Sequence, residues 1–176
     1  AGAHCLSVLT DAKYFSGSEE NLRRVRNVTE LPLLRKDFID DPYQIYEARV
    51  WGADAILLIV ASLGRNQIVD LHGLANELNL DVLVEVHDDE DLDKIEGLSL
   101  PLIGINNRDL KTLKTDLATT ERLSKRLSGF FVSESALDSK THIDRVQASG
   151  AKAVLIGTAF CSSPDIESKV KEVMGW

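Results

Sequence analysis

The sequence predicts an α/β fold built on a parallel sheet, and two observations carry this prediction. Short apolar runs alternate with amphipathic stretches along the whole chain, one such unit about every 20–25 residues. Several of the apolar runs also end in a charged or amide residue. Strand–helix alternation of this density is typical of parallel sheets. The alternation alone leaves open both a doubly wound sheet and a (β/α)8 TIM barrel.

Seven apolar runs are expected as strands. They are residues 5–9, 32–34, 55–60, 82–86, 102–105, 130–132 and 153–156. A complete barrel typically needs roughly 250 residues, so a chain of 176 residues is short for one. We therefore expect one domain over residues 1–176, a barrel that is incomplete at its N-terminal end.

Helices are expected between the strands. Asp41-Pro42 is a good helix start, with an acceptor at the N-cap and a proline in the first turn. Ile143 and Val146 lie on one face of a helix that Gly150 could end. The clearest helical face has apolar residues at three- and four-residue spacing, namely Ile68, Leu71, Leu74, Ala75 and Leu78.

Composition narrows the class of protein. Hydrophobic residues make up 44% and charged residues 27% of the chain, a balance typical of globular domains. The net charge of −8 argues against a nucleic-acid surface, and the longest apolar run, residues 55–61, is too short to span a membrane. Cys5 and Cys161 form no metal or disulfide motif. We expect a cytoplasmic protein, with Cys5 in the core.

Polar residues at the ends of four strands predict a catalytic site. Lys36, Glu85, Asn106 and Glu134 each follow or end an apolar run. Active sites of barrel enzymes lie at the C-terminal ends of the strands, so these side chains are expected to converge there. A lysine facing two carboxylates is suitable for acid–base catalysis. The alternative is that each residue simply ends its strand and is solvated.

The last two predicted strands carry a second signal. Ser133-Glu134-Ser135-Ala136 follows one of them, and Gly157-Thr158 follows the other. Barrels often bind phosphate with the loops after strands 7 and 8, through backbone N–H groups and small side chains. On this interpretation the visible strands are numbers 2 to 8. A Gly-Thr pair on its own is more often a simple turn.

The chain resembles indole-3-glycerol phosphate synthases along nearly its whole length. The resemblance rests on several blocks in the right order, at residues 6–11, 14–18, 34–38, 41–49, 52–59, 83–87, 104–110 and 133–135. It implies a TIM barrel of the ribulose-phosphate-binding type. It also implies a carboxy-lyase of tryptophan biosynthesis that closes the indole ring of 1-(2-carboxyphenylamino)-1-deoxyribulose 5-phosphate, with loss of CO₂ and water and with neither metal nor organic cofactor.

The resemblance also implies roles for individual residues. Lys36 matches the general acid that acts on the ribulose carbonyl, and Glu85 matches a carboxylate of the later proton transfer. Asn106 and Glu134 match residues that orient substrate hydroxyls and the lysine. The expected substrate-binding residues are Arg108 as a polar contact, Phe15, Phe38 and Leu57 around the anthranilate ring, and Ser135, Gly157 and Thr158 at the phosphate.

Two departures from the family pattern stand out. Nothing in the chain matches the family's Glu-x-Lys-x-x-Ser-Pro-Ser stretch of the first strand, nor its extra N-terminal helix. Ala136 stands where the family has glycine, and alanine does not readily take a positive φ. The phosphate loop is therefore either distorted or dependent only on a backbone N–H.

Two interpretations of the function are left open. The chain is an enzyme of this family, or it is a non-catalytic barrel fragment that acts through self-association or a partner chain at an open barrel edge. A related barrel such as phosphoribosylanthranilate isomerase is disfavoured by the blocks around Lys36 and Glu85. His87 ends a strand close to Glu85, and we expect it to cap a helix or face solvent. The acidic run at residues 88–91 is expected to begin a helix.

Overall fold

A computed structural model describes all residues, 1–176. Its strands are β1 (Leu6–Leu9), β2 (Leu33–Lys36), β3 (Ala55–Ile59), β4 (Asp81–Val86), β5 (Ile103–Asn106), β6 (Phe131–Glu134) and β7 (Ala153–Leu155). Its helices are α1 (Ala12–Phe15), α2 (Glu19–Arg26), α3 (Pro42–Trp51), α4 (Arg65–Glu77), α5 (Asp89–Ile95), α6 (Ala118–Leu123), α7 (Lys140–Ala148), α8 (Thr158–Cys161) and α9 (Ile166–Met174). Short 3-10 helices cover Val60–Ser62 and Ser124–Arg126. None of the helices is long and apolar enough to cross a membrane.

The chain forms two compact units. One covers Gly2–Val84, and the other covers Glu85–Trp176 together with Ala1. The boundary lies within β4. The expectation of a single domain over residues 1–176 stays a prediction.

In the first unit, β1 pairs with β2 and β2 pairs with β3, both in parallel. Leu9 of β1 lies opposite Lys36 of β2, so the two strands end together. Because parallel neighbours need a crossover connection, a helix lies between consecutive strands. The C-terminal end of β2 is thereby brought beside the loop that follows β1.

In the second unit, β5, β6 and β7 are paired in parallel and in chain order. Asn106 at the end of β5 lies opposite Glu134 at the end of β6. Glu134 in turn lies opposite Leu155 of β7. The polar ends of β5 and β6 are therefore neighbours.

The core explains the apolar runs of the sequence. All of residues 56–59 in β3 and 82–86 in β4 are buried. Strands buried on both faces are continuous apolar segments rather than alternating ones. The expected face of α4 is also observed, with Ile68, Leu71 and Ala75 buried.

The predicted elements are confirmed with small shifts at their ends. All seven expected strands are present. Asp41 is the N-cap of α3 and accepts a hydrogen bond of 2.8 Å from the Tyr43 N–H. The acidic run begins α5, with Asp88 as the N-cap. Gly150 takes a φ of 98° one residue beyond Ser149, the C-cap of α7.

The placement of Cys5 in the core is wrong. Cys5 is exposed and precedes the first residue of β1. β1 stands at the end of the strand order, and its exposed residues alternate with half-buried ones. Residues that flank a strand covered on one side alone are less buried than the apolar run of the sequence predicts.

Candidate functional site

Arg35 organises the end of β2. Its side chain is only 3% exposed, and it donates a hydrogen bond of 2.9 Å to Asp37 Oδ2 and one of 3.3 Å to Thr10 Oγ1. The Thr10 hydroxyl donates to the same Asp37 oxygen at 2.6 Å. A buried charge is stable only when it is paired and hydrogen-bonded. The loop after β1 and the turn after β2 are thereby held together.

The direction of Arg35 fixes the direction of Lys36. Arg35 reaches α3, where it donates to the Gln44 carbonyl at 2.7 Å and stacks 4.0 Å from the ring of Trp51. Successive side chains of a strand point to opposite faces. Lys36, the last residue of β2, therefore projects from the face of the sheet opposite to α3. It is half-buried and has interaction partners in the chain.

The loop after β1 carries two aromatic side chains toward this strand end. Asp11 caps α1 by accepting hydrogen bonds from the N–H groups of Tyr14 and Phe15. Gly17 closes the loop by donating to the Asp11 carbonyl at 2.7 Å. A Cβ at position 17 would lie 2.5 Å from the Leu9 carbonyl oxygen, so only glycine fits there. The glycine thus allows the loop to fold back on β1.

The aromatic residues of this loop meet Phe38. The rings of Phe15 and Phe38 are stacked with centroids 6.2 Å apart, and Tyr14 packs edge-on to Phe38 at 5.7 Å. All three rings are exposed, which is a surface suited to a planar ligand. Leu57 differs, because it is fully buried within β3. Its place in a substrate-binding wall stays a prediction.

The end of β4 carries a buried carboxylate and a buried imidazole. The Glu85 side chain is 2% exposed and that of His87 is 7% exposed, and Nε2 of His87 lies 3.1 Å from Oε1 of Glu85. Nδ1 of His87 lies 3.3 Å from Oδ2 of Asp91 in the first turn of α5. Of the two expected roles of His87, capping a helix or facing solvent, the solvent-facing one is not observed. A helix-terminal contact was correctly expected, because the His87 N–H donates to Asp91 at 2.9 Å.

The two carboxylates determine the charge of His87. Burial by itself lowers the pKa of the imidazole. The interactions of the ring with the carboxylates of Asp91 and Glu85, including their negative charges, outweigh burial and raise the pKa of His87 to about 9. The imidazole is therefore a cation at neutral pH.

The ends of β5 and β6 carry Asn106 and Glu134 on one face. Asn107 and Ser133 share a buried network with Thr120 of α6, in which Asn107 Nδ2 donates to Ser133 Oγ at 3.0 Å. Asn106 and Glu134, their neighbours in sequence, project from the other face. Both are buried, and they lie opposite each other in the strand pairing.

Arg108 forms hydrogen bonds within its own loop. Its N–H donates to Asn106 Oδ1 at 3.0 Å, and its guanidinium donates to the Leu113 carbonyl at 3.1 Å. The side chain is half-buried. A contact between Arg108 and substrate stays a prediction.

The expected phosphate positions lie at two strand ends. Ser135 and Ala136 follow β6 with φ values of 64° and 61°. Alanine therefore adopts the left-handed conformation that glycine favours, and its side chain packs against the cluster around Leu137 and Val146. Gly157 and Thr158 are exposed, with Gly157 as the N-cap of α8. Free N–H groups at such a helix start can bind an anion.

The structure brings the expected residues together in groups within each unit. In the first unit Phe15 contacts Phe38, which lies two residues beyond Lys36. In the second unit Asn106 lies beside Glu134. Sequence patterns did not single out Tyr14 and Asp91 as site residues. The i, i+4 spacing of His87 and Asp91 across the start of a helix could have indicated Asp91.

Comparison with known proteins identifies the fold. A mutant tryptophan synthase alpha-subunit from Pyrococcus furiosus superimposes with a TM-score of 0.69 at 16% identity, over 90% of this chain and 72% of that chain. FabK from Thermotoga maritima gives a TM-score of 0.64 at 14% identity, over 89% of this chain and 51% of that chain. The predicted fold class, a TIM barrel of which seven strands are visible in this chain, is confirmed.

Comparison of sequences identifies the family. The indole-3-glycerol phosphate synthase of Neisseria meningitidis serogroup B is 47% identical over 97% of this chain, which corresponds to 66% of that protein. The enzyme of Prochlorococcus marinus is 48% identical over 98% of this chain and 61% of its own length. The chain thus spans less than two thirds of these curated relatives. The family model for indole-3-glycerol phosphate synthase matches residues 1–173, so the chain belongs to the indole-3-glycerol phosphate synthase family.

Proposed function

We propose that this chain carries the ring-closing activity of its family. The substrate would be 1-(2-carboxyphenylamino)-1-deoxyribulose 5-phosphate, and the products indole-3-glycerol phosphate, CO₂ and water. The observation that carries the proposal is the set of polar side chains at the strand ends. Lys36 ends β2, and the buried Asn106 and Glu134 end β5 and β6. The buried Glu85 is the last residue but one of β4.

The residue types fit the chemistry. Ring closure places negative charge on the ribulose carbonyl oxygen, and the ammonium of Lys36 can donate a proton to it. Loss of water then needs a further proton transfer, which we assign to Glu85. Glu134 and Asn106 would orient the substrate hydroxyls and the lysine. These assignments rest on position at the strand ends and on family membership.

Substrate binding is divided among three groups of residues in this proposal. Phe15, Phe38 and Leu57 would contact the anthranilate ring, and the exposed stack of Phe15 and Phe38 supports this for two of them. Arg108 would provide a polar contact. The phosphate would bind Ser135, Gly157 and Thr158, because Gly157 at the start of α8 provides no side-chain cap.

The reaction on this small phosphorylated substrate would need neither a metal nor an organic cofactor. We expect the protein to bind neither nucleic acid nor a membrane. We place the protein in the cytoplasm, where its two free cysteines would stay reduced. Pairing of β1 with a second copy or a partner chain belongs to the same proposal, because β1 stands at the end of the strand order.

The decisive experiment is turnover, followed by the fluorescence of the indole product. The 176-residue chain is assayed alone and after mixing with the part of the Neisseria protein that it does not match. Indole formation in either sample would support the proposal. Failure of both samples, with a folded chain by circular dichroism, would contradict it.

Lys36→Ala is the variant that tests the lysine. We expect kcat to fall at least about 100-fold, because a positioned general acid contributes this much. Lys152→Ala, which removes an exposed lysine just before β7, is the matched control and should leave kcat unchanged. Full activity in a folded Lys36→Ala protein would exclude the assignment.

A further inference from the structure

His87 lies between two buried carboxylates at the end of β4. One ring nitrogen is 3.1 Å from Glu85 Oε1, and the other is 3.3 Å from Asp91 Oδ2. The side chains of Glu85, His87 and Asp91 are at most 7% exposed. The imidazole therefore connects the carboxylate at the strand end to the first turn of the next helix.

The far side of the imidazole is held rigidly. Asp91 accepts the His87 backbone N–H at 2.9 Å as well as the contact from the ring. The Asp91 N–H donates at 2.9 Å to Asp88, the N-cap of α5. The N-cap Asp88 thus holds Asp91 in place, and the carboxylate of Asp91 holds the imidazole ring of His87 in place. The ring in turn presents Nε2 to Glu85 in one orientation.

The charge of the ring matters to Glu85. Glu85 from β4 and Asp91 from α5 are the groups that determine the charge of His87, and both favour the imidazolium. A neighbouring positive charge favours the ionised form of a carboxylate. None of these residues belongs to a group that could hold a metal ion.

We propose that His87 is a positioning residue that holds Glu85 ionised and aimed in one direction, with Asp91 fixing the ring from behind. This inference rests on the proposed function, in which Glu85 takes part in proton transfer. A purely structural cap would need only the contact to Asp91. The contact to Glu85 is the additional feature, and it links the helix cap to a strand-end carboxylate.

The geometry is tested first by NMR titration of the imidazole in the full chain. We expect the His87 ring to titrate near pH 9 and its midpoint to fall in both Glu85→Gln and Asp91→Asn. Asp138→Asn is the matched control, because Asp138 lies 3.0 Å from a different histidine, His142. A His87 midpoint near 6.5, or one that Glu85→Gln leaves unchanged, would overturn the proposal.

The positioning role is tested by the kinetics of His87→Gln. The variant is assayed in whichever of the two samples described above, the chain alone or the mixture, shows turnover with the parent protein. Glutamine keeps an N–H donor but removes the charge. We expect kcat to fall at least about tenfold with KM changed less than about twofold, and the acidic limb of the kcat profile to move to higher pH. His142→Gln should behave like the parent. An unchanged kcat and profile in His87→Gln would overturn the positioning role.

The two measurements separate the two proposals. Absence of turnover in the parent overturns the proposed function, and the role of His87 in it, whatever the titration shows. Turnover in the parent together with a normal His87→Gln protein overturns only the positioning role.

Discussion

Leu113 occupies a backbone conformation that its side chain disfavours. Its φ is 58°, and its side chain is 64% exposed. The loop around it is fixed by its own hydrogen bonds. The Leu113 N–H donates to the Asp109 carbonyl at 2.8 Å, and its carbonyl accepts from Arg108. The strain at this residue is not offset by burial of the side chain.

Leu113→Asn should therefore stabilise the protein. Asparagine tolerates the left-handed region better than leucine, so we expect the free energy of unfolding to rise by about 1 kcal/mol. Leu110→Asn is the control, since Leu110 is exposed in the same loop without a positive φ. Chemical denaturation of both variants checks this, and an equal rise in the two would contradict the explanation.

Ala136 shows why some residue-level features escape a reading of the sequence. Its departure from the family glycine was visible, but two outcomes were open. The structure shows Ala136 in the left-handed conformation, and its effect on phosphate binding stays a prediction. The methyl group packs against the cluster around Leu137 and Val146, which offsets part of the cost of its φ of 61°.

The helix α4 contains an avoidable weakness. Gly73 lies near its middle, where glycine costs backbone entropy. A Cβ built at Gly73 meets nothing within 4 Å. The helix is therefore stabilised by its buried face, Ile68, Leu71 and Ala75, and not by this residue.

Gly73→Ala is expected to raise the free energy of unfolding by about 0.5–1 kcal/mol, because alanine is the better helix former. Gly52→Ala is the control, and its effect on stability should have the opposite sign. Gly52 is the C-cap of α3 with a φ of 91°, so alanine there should destabilise. Thermal unfolding of the two variants should move in opposite directions, and a shift in the same direction would contradict the argument.

Arg35 joins three elements, and its removal should be costly. It contacts Thr10 after β1, Asp37 after β2 and Glu47 of α3. Arg35→Ala leaves the carboxylates of Asp37 and Glu47 without their buried partner. We expect a loss of about 3 kcal/mol or more in the free energy of unfolding.

The control for this loss is an arginine on the surface. Arg24 pairs with Glu20 within α2, and both side chains are largely exposed. Arg24→Ala should cost less than about 1 kcal/mol. Equal losses in Arg35→Ala and Arg24→Ala, measured by urea denaturation, would show that burial of Arg35 contributes nothing.

Local patterns were sufficient to predict most elements. The seven strands and the cap at Asp41 follow from apolar runs and from local hydrogen bonding. Cys5 was misplaced because burial beside an outer strand depends on what covers it, which a local window does not contain. The Asn107, Thr120 and Ser133 network was missed because its members lie 13 and 26 residues apart in sequence.

For the whole molecule, His87 makes stability depend on pH. Folding raises its pKa from 6.5 to about 9, so the folded protein binds this proton more tightly than the unfolded chain. The stabilisation is complete below pH 6.5 and is lost as the pH rises to about 9. A shift of this size corresponds to a loss on the order of 3 kcal/mol.

Urea denaturation at pH 6 and pH 9 tests this dependence. The parent should lose stability between the two values, and His87→Gln should lose much less. His142→Gln should follow the parent, because His142 is more exposed and has a single carboxylate neighbour, Asp138. An identical pH dependence in all three proteins would exclude His87 as the source.

The candidate site was only partly predictable. Position at the ends of strands singled out Lys36, Glu85, Asn106 and Glu134, because parallel strands end at the same edge of a sheet. His87 was interpreted as a cap because its contact with Asp91 is local in sequence. The orientation of the ring toward Glu85 depends on side-chain packing, which spacing alone does not determine.

The close approach at Gly17 has a consequence for how the gene can vary. Every amino acid that could replace this glycine carries a Cβ, and that atom would collide with the backbone of Leu9 and Thr10. The loop from Asp11 to Gly17 can therefore exchange its aromatic residues more freely than the small residue that closes it. We expect lineages that vary Tyr14 or Phe15 to keep glycine at position 17.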